Sequence, residues 1–343
     1  MLGTSEDTGG GVTVNNWSVM VNGKEFTRYQ SVGFSRDIKN HCGEFSIVTT
    51  NTLPKDYPIQ LNDKLEILYR NIVVFTGVGD KLKCSGGLDG NTIELSGRDW
   101  GICDLLDSSV PDSVKKLKGS VSLRMLAEAC IKALGLTFKL IDKSKDKLAD
   151  KKVKQQQTAE SGQKIGDFLA KFAAKNQLYL FASSTGDLLV YKTEESQKRN
   201  STTLVYGYSE NASNNVLNAS YEINMTDVFA SLKVRGQGAV GYDAKANKAA
   251  DSVDVNDKAF DFNARPTRYI EIKLSEPTTK DNAKKRAVDE VNVRNARAHK
   301  YECEVPFFWG KEKKPYEIGD VFQVDDVMHQ CFGDYLLGGF SVG

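Results

Sequence analysis

The residue types that carry out chemistry in enzymes occur in this sequence, but they are not spaced as a known catalytic or metal-binding site. No two of the six cysteines have CxxC spacing, which argues against a zinc site; they are residues 42, 84, 103, 130, 303 and 331. This use of cysteine is typical of reduced, mostly buried thiols in a protein made in a cytoplasm.

The histidines are His41, His299 and His329, and one of them has a nearby cysteine, Cys303. The strand-like "ECEVPFF" that begins at Glu302 argues against a shared helical face for His299 and Cys303. A Cys–His nucleophile also needs an orienting partner and an oxyanion site, neither of which can be placed. We therefore interpret His299 as a surface histidine and Cys303 as a buried thiol.

Carboxylate pairs and one glycine-containing stretch were the remaining candidates for chemistry. The pairs are Asp104 and Asp107, Glu194 and Glu195, and Asp325 and Asp326. Adjacency in sequence does not place two carboxylates across a cleft, so these are interpreted as solvated loop acids. The stretch "SGQKIGDF" at residues 161–168 lacks the Gly-x4-Gly-Lys-Ser/Thr spacing of a phosphate loop. We predict no enzyme, no cofactor and no catalytic, cofactor-binding or metal-ligating residue.

Composition limits the partners that the chain can have. The sequence has 343 residues and a formal net charge of +1, with 40% hydrophobic and 27% charged residues. A nearly neutral chain has no long-range attraction for nucleic acids or anionic membranes, and no apolar run is long enough for stable membrane insertion. Two basic stretches, at residues 139–154 and 283–300, lack interleaved aromatic residues and are interpreted as solvated faces, with an acidic partner surface as the alternative. The polar residues 1–11 predict a flexible tail without a secretory signal.

Hydrophobic periodicity divides the chain into β, α+β and β regions. Residues 12–99 contain short alternating strands and an Asn22-Gly23 turn, which predicts a first antiparallel β-barrel or sandwich domain. Residues 100–202 predict an α+β domain, with helices in "SLRMLAEACIKALG" and "GQKIGDFLAKFAAKN" and a hairpin that turns at residues 184–187. Ser122 is the expected N-cap of the first helix, and Gly135 its stop.

The remaining residues, 203–343, repeat one phrase of the first region. "PIQLNDKLEI" (58–67) and "KPYEIGDVFQVDD" (314–326) each place an aspartate two residues after an aliphatic residue and just before an alternating strand. An apolar run with glycines follows in both cases. We therefore predict a second β-barrel domain over 203–343, with a mobile loop near 237–260 and a helix near 281–299.

Five stretches, in this order, resemble the central hub proteins of contractile-tail phage baseplates. The similarity is to the phage Mu hub and late-control D family, to which the hub region of VgrG spikes is related, and it runs from about residue 12 to the end of the chain. The stretches are "YQSVGFSRDIKNHCGEFSIVTT", "TIELSGRDWGICDLLDSS", "ESGQKIGDFLAKFAAKNQLYLFASSTGDLLV", "NNVLNASYEINMTDVFASLKVRGQG" and "KKRAVDEVNVRNARAHKYECEVP…YEIGDVFQVDD".

The resemblance implies an α+β, mainly β fold in which two similar β-barrel domains flank an α+β domain. It also implies a pseudo-sixfold homotrimer that joins a sixfold tail tube to a threefold central spike, because closed symmetric contacts need matching patches at each rotation. The implied partners are the spike protein, a tail tube or tube-end protein and other baseplate proteins. The implied location is the baseplate of the virion, after synthesis in the bacterial host cytoplasm.

The second copy of the repeated phrase departs from the first at its end. "GNTIELSGRD" supplies a further strand after the first copy, whereas "YLLGGFSVG" closes the chain. We expect either a missing segment or a partner, such as the spike or a tube-end protein, that covers the uncovered edge.

Three alternatives remain open at this stage. The hub region of a type VI secretion-like spike protein would share the fold but continue into a β-helical needle, and the chain end at Gly343 counts against it. A cell-wall polymer hydrolase would need an active site, which a cleavage assay would reveal. A barrel-based oligonucleotide binder is disfavoured by the net charge, and filter binding at low salt would test it.

Overall fold

The computed structural model describes most of the chain. The described residues are 16–38, 40–50, 56–87, 90–115, 117, 119–144, 146–154, 159–174, 178–192, 198–207, 214–237, 253–254, 267–277, 280–306 and 315–342. The predicted tail at 1–11 and most of the predicted loop near 237–260 lie outside them. Two compact units divide the chain: unit 1 comprises Met1–Thr202, Phe308–Gln323 and Asp334–Gly343, and unit 2 comprises Thr203–Phe307 and Val324–Gly333.

Strands predominate in the described residues, as the sequence predicts. They are β1 (Trp17–Val21), β2 (Lys24–Phe26), β3 (Ser31–Asp37), β4 (Glu44–Thr50), β5 (Lys64–Tyr69), β6 (Ile72–Gly87), β7 (Gly90–Asp99), β8 (Ser120–Val121), β9 (Leu140–Asp142), β10 (Val153–Lys154), β11 (Tyr179–Ala182), β12 (Leu188–Tyr191), β13 (Lys198–Tyr206), β14 (Asn218–Ile223), β15 (Ser231–Gln237), β16 (Val253–Asp254), β17 (Tyr269–Pro277), β18 (His299–Glu304), β19 (Asp320–Asp326), β20 (Cys331–Leu336) and β21 (Gly339–Val342). The helices are α1 (Ile102–Asp107), α2 (Asp112–Lys115), α3 (Leu123–Ala133), α4 (Ile165–Ala174) and α5 (Lys280–Ala298), with 3₁₀ turns at Leu148–Asp150 and Met225–Asp227.

An eight-stranded antiparallel sheet forms the first part of unit 1. Its order is β2-β1-β5-β6-β7-β4-β3-β21. The prediction of short antiparallel strands is confirmed here, but the prediction of a closed barrel is not: within the described residues the order ends in two edges, β2 and β21. Asn22 and Gly23 both have positive φ, 49° and 80°, as a two-residue hairpin turn requires.

Alternation of buried and exposed residues gives this sheet its hydrophobic face. In β3 and β4 every second residue is buried, because successive side chains of a strand point to opposite faces. The buried side chains form one core, which is composed of Val19, Phe26, Val32, Phe34, Phe45, Ile47, Tyr57, Ile59, Leu65, Ile67, Val74, Phe75, Ile93 and Leu95.

The last strand of the chain belongs to this first sheet. The sequence analysis placed "YLLGGFSVG" at the end of the second barrel, and that placement was wrong. β21 pairs antiparallel with β3, from Gly339 opposite Asp37 to Val342 opposite Phe34. Phe340 packs edge-on against the Phe34 ring, with 6.0 Å between ring centroids, so an apolar contact stabilises this pairing.

Helices cover small sheets in the rest of unit 1, and both predicted helices are confirmed. The Ser122 hydroxyl accepts a hydrogen bond from the Met125 N–H at 3.2 Å, so it is the N-cap of α3. Gly135, with φ of 71°, follows the end of that helix. α3 and α4 bury their apolar faces in a common core, together with the hairpin β11–β12, to which β9 adds in parallel.

Unit 2 contains α5 and two of the remaining sheets. β15 pairs with β16 and β17, and the core between this sheet and α5 is formed by Leu232, Val234, Ala283, Ala287 and Val291. β14 and β18 form a two-stranded antiparallel ribbon. A closed second barrel over 203–343 is therefore not present among the described residues. The predicted helix near 281–299 is present as α5.

A further three-stranded sheet has the order β13-β19-β20. The chain passes from one unit to the other within these three strands, after Thr202, Gln323 and Gly333. Most of the repeated phrase in "KPYEIGDVFQVDD" lies before the second of these points, in unit 1.

Candidate functional site

The two copies of the repeated phrase fold into the same turn. In the first copy the Asp63 N–H donates to the Gln60 carbonyl at 3.2 Å, and the Gln60 N–H donates to the Asp63 carboxylate at 2.7 Å. In the second copy the Asp320 N–H donates to the Glu317 carbonyl at 3.1 Å, and the Glu317 N–H donates to the Asp320 carboxylate at 3.2 Å. The aspartate that both copies share therefore closes its own turn with its side chain.

The likeness extends to the hairpin that follows each turn. The residue before each aspartate has positive φ, 71° at Asn62 and 91° at Gly319. Its N–H donates at 3.0 Å to a carbonyl near the end of that hairpin, at Gly79 in the first copy and at Leu337 in the second. Both phrases thus form a turn, a strand, a reversal and a returning strand.

The two turns differ in their surroundings. Leu61 of the first turn is 46% exposed, whereas the corresponding Ile318 is 5% exposed and packs with Phe181, Leu189 and Tyr191. The Tyr191 hydroxyl also donates to the Gly319 carbonyl at 2.8 Å. Unit 1 therefore uses the second turn for internal packing, while the first turn presents an apolar side chain to solvent.

A buried ion pair, which the sequence analysis missed, lies where the first sheet meets the β11–β12 hairpin. Arg36 of β3 contacts the Asp99 carboxylate of β7 at 2.7 Å, and both side chains are buried. The guanidinium also donates to the carbonyls of Ala182 and, at 3.1 Å, Ser183. The Gly43 N–H donates to the second Asp99 oxygen. Burial raises the pKa of Asp99 to about 6, although Arg36 and the Gly43 N–H act in the opposite direction.

Backbone contacts around this ion pair fix the same hairpin. The His41 carbonyl accepts from the Ala182 N–H at 3.1 Å, and the His41 ring nitrogen Nδ1 lies 2.8 Å from the Leu180 carbonyl. The Thr76 hydroxyl donates to the Ser184 carbonyl at 3.0 Å. The buried pair and these bonds hold the hairpin on the sheet, so this site supports the shape of unit 1.

His299 and Cys303 lie on one strand, β18, and do not form a nucleophile–base pair. Residues four apart on a strand share a face but are separated by about 13 Å along it. The His299 Nδ1 atom is 2.6 Å from the Tyr221 hydroxyl, and the ring is half-buried, so the interpretation as a surface histidine was wrong. Burial raises the pKa of Cys303 to about 11, with Asp326 adding to the effect, so this thiol stays protonated near neutral pH.

All six cysteines are free, but the prediction of mostly buried thiols was only partly right, because Cys303, interpreted as buried, is half-buried, as is Cys42. Cys103, Cys130 and Cys331 are buried, and Cys84 is exposed on β6. Burial raises the pKa of both Cys103 and Cys130 to about 12. The thiols of Cys103 and Cys130 therefore pack as small apolar side chains.

The interpretation of the paired carboxylates as solvated loop acids was wrong for Asp326, which is buried at the end of β19. Asp107 contacts Arg98 at 2.7 Å and Lys164 at 3.2 Å; the hydrogen bond from Arg98 is the main reason that its pKa is lowered. Asp326 is fully buried and accepts from the His329 N–H and Nδ1, both at 2.8 Å. Burial raises its pKa, but the hydrogen bonds from His329 and Tyr301 outweigh this, and the net shift is downward. Glu194 and Glu195 lie outside the described residues.

The glycines of "SGQKIGDF" have structural roles. Gly162 has φ of 75° in a turn. Gly166 is buried on α4 against α1, where an added Cβ would lie 3.1 Å from the Leu106 carbonyl oxygen. The second glycine thus permits close helix packing.

The two basic stretches form local ion pairs. Lys143 contacts Glu317 at 2.9 Å in unit 1. On α5, Arg286 and Arg294 both contact Glu290, at 3.2 and 3.0 Å. None of the described helices is long and apolar enough to cross a membrane, and the described residues contain no cluster of histidine, cysteine and carboxylate side chains that could hold a metal ion.

The first sheet is similar to a domain of known phage baseplate proteins. Residues 16–99 match the family model of the Mu phage baseplate assembly protein GpP-like, N-terminal. The resemblance to the phage Mu baseplate family that the sequence indicated is thereby confirmed. A search of curated protein sequences found no match.

Solved structures of phage tail proteins share the fold of nearly the whole chain. The prophage MuSo2 43 kDa tail protein from Shewanella oneidensis has a TM-score of 0.78 and 20% identity, over 95% of this chain and 93% of that chain. The tail protein from Neisseria meningitidis MC58 has a TM-score of 0.76 and 18% identity, over 95% and 91%. Prophage tail protein gp18 from Listeria monocytogenes EGD-e has a TM-score of 0.59 and 13% identity, over 95% and 90%. The chain therefore has a mainly β tail-protein fold.

Proposed function

We propose that this chain is a structural protein of a phage tail baseplate, and more specifically its central hub. The match of residues 16–99 to the GpP-like baseplate family carries the proposal. The similarity of fold to prophage tail proteins supports it over the rest of the chain. In this proposal the protein acts in the virion, after synthesis in the bacterial cytoplasm, as scaffold and not as an enzyme.

The hub is proposed to be a homotrimer that adapts one symmetry to another. A threefold spike and a sixfold tail tube cannot share matching contacts unless each hub subunit offers two similar β units. The repeated turn and hairpin at residues 60–79 and 317–337 support this pairing, because both use the same hydrogen bonds. The proposed partners are the spike protein, a tail tube or tube-end protein and other baseplate proteins.

Solution mass and imaging test the proposal. Light scattering after size-exclusion chromatography should give about three times the 37.9 kDa monomer mass. Negative-stain images down the axis should then contain six lobes. A stable dimer, or a trimer with three well-separated lobes, would contradict the symmetry-adapter proposal.

A cleavage assay tests the scaffold part of the proposal. Purified protein incubated with peptidoglycan should release no more soluble fragments than a buffer control. Turnover that is retained in a second, independently purified preparation would instead identify a cell-wall hydrolase.

A further inference from the structure

The outer half of β6 is a sheet edge with no second neighbouring strand in the described part of unit 1. β6 has 16 residues, and β5 pairs with it only as far as Val78, opposite Lys64. From Lys81 to Gly87 the strand pairs with β7 on one side. All of these residues except the half-buried Leu82 are exposed.

Hydrogen-bond alternation identifies which residues face this edge. The Gly79 carbonyl accepts from the Asn62 N–H, so Gly79 faces away from β7. The backbone of Gly97, which lies opposite Gly79 on β7, therefore makes no hydrogen bond to β6. The adjacent residue of β7, Ser96, directs its backbone N–H and C=O toward β6. Ser96 is paired with Lys81, because the register shifts by one residue between Gly79 and Lys81.

Every second residue after Lys81 consequently points its backbone away from β7. These residues are Leu82, Cys84 and Gly86. Three successive outward-facing N–H and C=O pairs form a template for an added strand, and exposed edges of this kind are where partner strands pair.

β18 in unit 2 has a complementary edge. Among the described residues it pairs only with β14. The carbonyls of Ala298 and Glu304 accept from the Asn224 and Leu217 N–H groups, both at 2.8 Å, so the even-numbered residues of β18 face β14. The backbones of residues 299, 301 and 303 therefore face the other side.

The two edges carry side chains of opposite charge. Lys81 and Lys83 are exposed on one face of β6, and Glu302 and Glu304 are exposed on one face of β18. Both pairs have a spacing of two residues. An antiparallel register with Lys83 opposite Glu302 also places Lys81 opposite Glu304.

The same register also aligns the outward-facing backbone N–H and C=O groups of the two edges. Leu82 then lies opposite Cys303, and Cys84 opposite Tyr301, at positions whose backbones face each other. The lysine–glutamate pairs occupy the alternate, non-hydrogen-bonded positions, where opposite side chains are closest. Lys83 already lies opposite Glu94 of β7, and Glu302 already forms an ion pair with Lys300 of its own strand, so each added lysine–glutamate pair would extend a charge pair that exists within the chain.

We propose that the outer half of β6 in one copy of the chain pairs with β18 of a neighbouring copy as an added antiparallel strand. A second copy is the partner because the two complementary edges are on the same chain, and a head-to-tail contact between different surfaces forms a ring when its rotation closes, as the proposed threefold symmetry requires. The inference rests on the proposed trimer and assigns its subunit contact.

Charge reversal and rescue test this contact. One variant carries Lys81→Glu and Lys83→Glu, a second carries Glu302→Lys and Glu304→Lys, and a third carries all four changes. The control is Lys132→Glu with Lys171→Glu, which reverses two exposed helical lysines. Circular dichroism should show that all variants fold. Light scattering over a dilution series at low salt gives the concentration at which each trimer dissociates.

Each two-site reversal should raise the concentration at which the trimer dissociates by about tenfold or more. The four-site variant should restore this dissociation concentration to within about threefold of the wild type. The control should leave it unchanged, and 1 M salt should remove most of the difference. If the wild type is trimeric and the two-site variants dissociate at the same concentration as the wild type, the strand contact is overturned and the hub proposal remains intact. Weakening without rescue would also overturn it, because β18 would not be the partner. A wild type that is monomeric at every concentration would contradict the contact and the trimer together.

Discussion

Removing the negative charge from the buried ion pair should destabilise unit 1 strongly. In Asp99→Asn the volume is conserved, but Arg36 keeps its charge in a site where its side chain is 8% exposed. The carbonyls of Ala182 and Ser183 still accept from the guanidinium, and the Gly43 N–H keeps an oxygen acceptor. The loss is therefore mainly that of the compensating charge.

Breaking one partner of a buried ion pair typically costs about 3–5 kcal/mol, because the remaining charge is desolvated and uncompensated. Net stabilities of domains are about 5–15 kcal/mol, so this is a large part of the total. Urea unfolding at pH 7, followed by tryptophan fluorescence, should report it directly, since Trp100 is adjacent to Asp99 and its N–H donates to the Thr76 carbonyl at 3.0 Å.

A double-mutant cycle separates the ion pair from general packing. The double variant with Arg36→Met and Asp99→Asn should lose less stability than the two single variants lose in sum. The difference should be about 2 kcal/mol or more. Lys143→Ala removes an exposed ion pair with Glu317 and should cost about 1 kcal/mol or less. Additive single changes, or an Asp99→Asn cost no larger than that of Lys143→Ala, would refute the reasoning.

Two further predictions concern a helix cap and the second turn. Ser122→Ala should cost about 1 kcal/mol, and Ser122→Asp should preserve the stability. Gly319→Ala should cost about 2–4 kcal/mol in thermal or urea unfolding, because its Cβ would lie 2.6 Å from the Tyr191 ring. The control Gly135→Ala, also at positive φ but with open space around it, should cost about 1–2 kcal/mol. Equal costs for the two variants would show that the Tyr191 ring moves aside.

Local elements could be predicted from the sequence because their signals lie within a few residues. The Ser122 cap, the Gly135 stop and the Asn22-Gly23 turn each depend on short-range backbone geometry, and each was placed correctly. The partner of β21 could not be predicted in this way. Its pattern indicates a strand, but its partner β3, against which Phe340 contacts Phe34, lies some 300 residues away in the chain, and no local signal identifies it.

The buried ion pair had a signal in the sequence that strand alternation could have revealed. Arg36 continues the buried positions Val32 and Phe34 of β3, and Asp99 continues Ile93 and Leu95 of β7. A charged residue at a position reserved for the core requires a partner of opposite charge. Two such positions of opposite charge, each at the end of an apolar alternation, predict an ion pair even though they are 63 residues apart.

In the proposed trimer, the repeat would let one chain contribute similar but unequal units to a ring. The backbones of the turn and hairpin are alike in the two copies, down to the aspartate that closes each turn. The side chain two residues before that aspartate has different surroundings in each copy, because Ile318 packs against the hairpin β11–β12 while Leu61 is 46% exposed. A threefold assembly with two such units per subunit does not require the six turns to be equivalent. It requires only that the backbone positions match, so the exposed Leu61 is available for a contact with another protein that Ile318 cannot make.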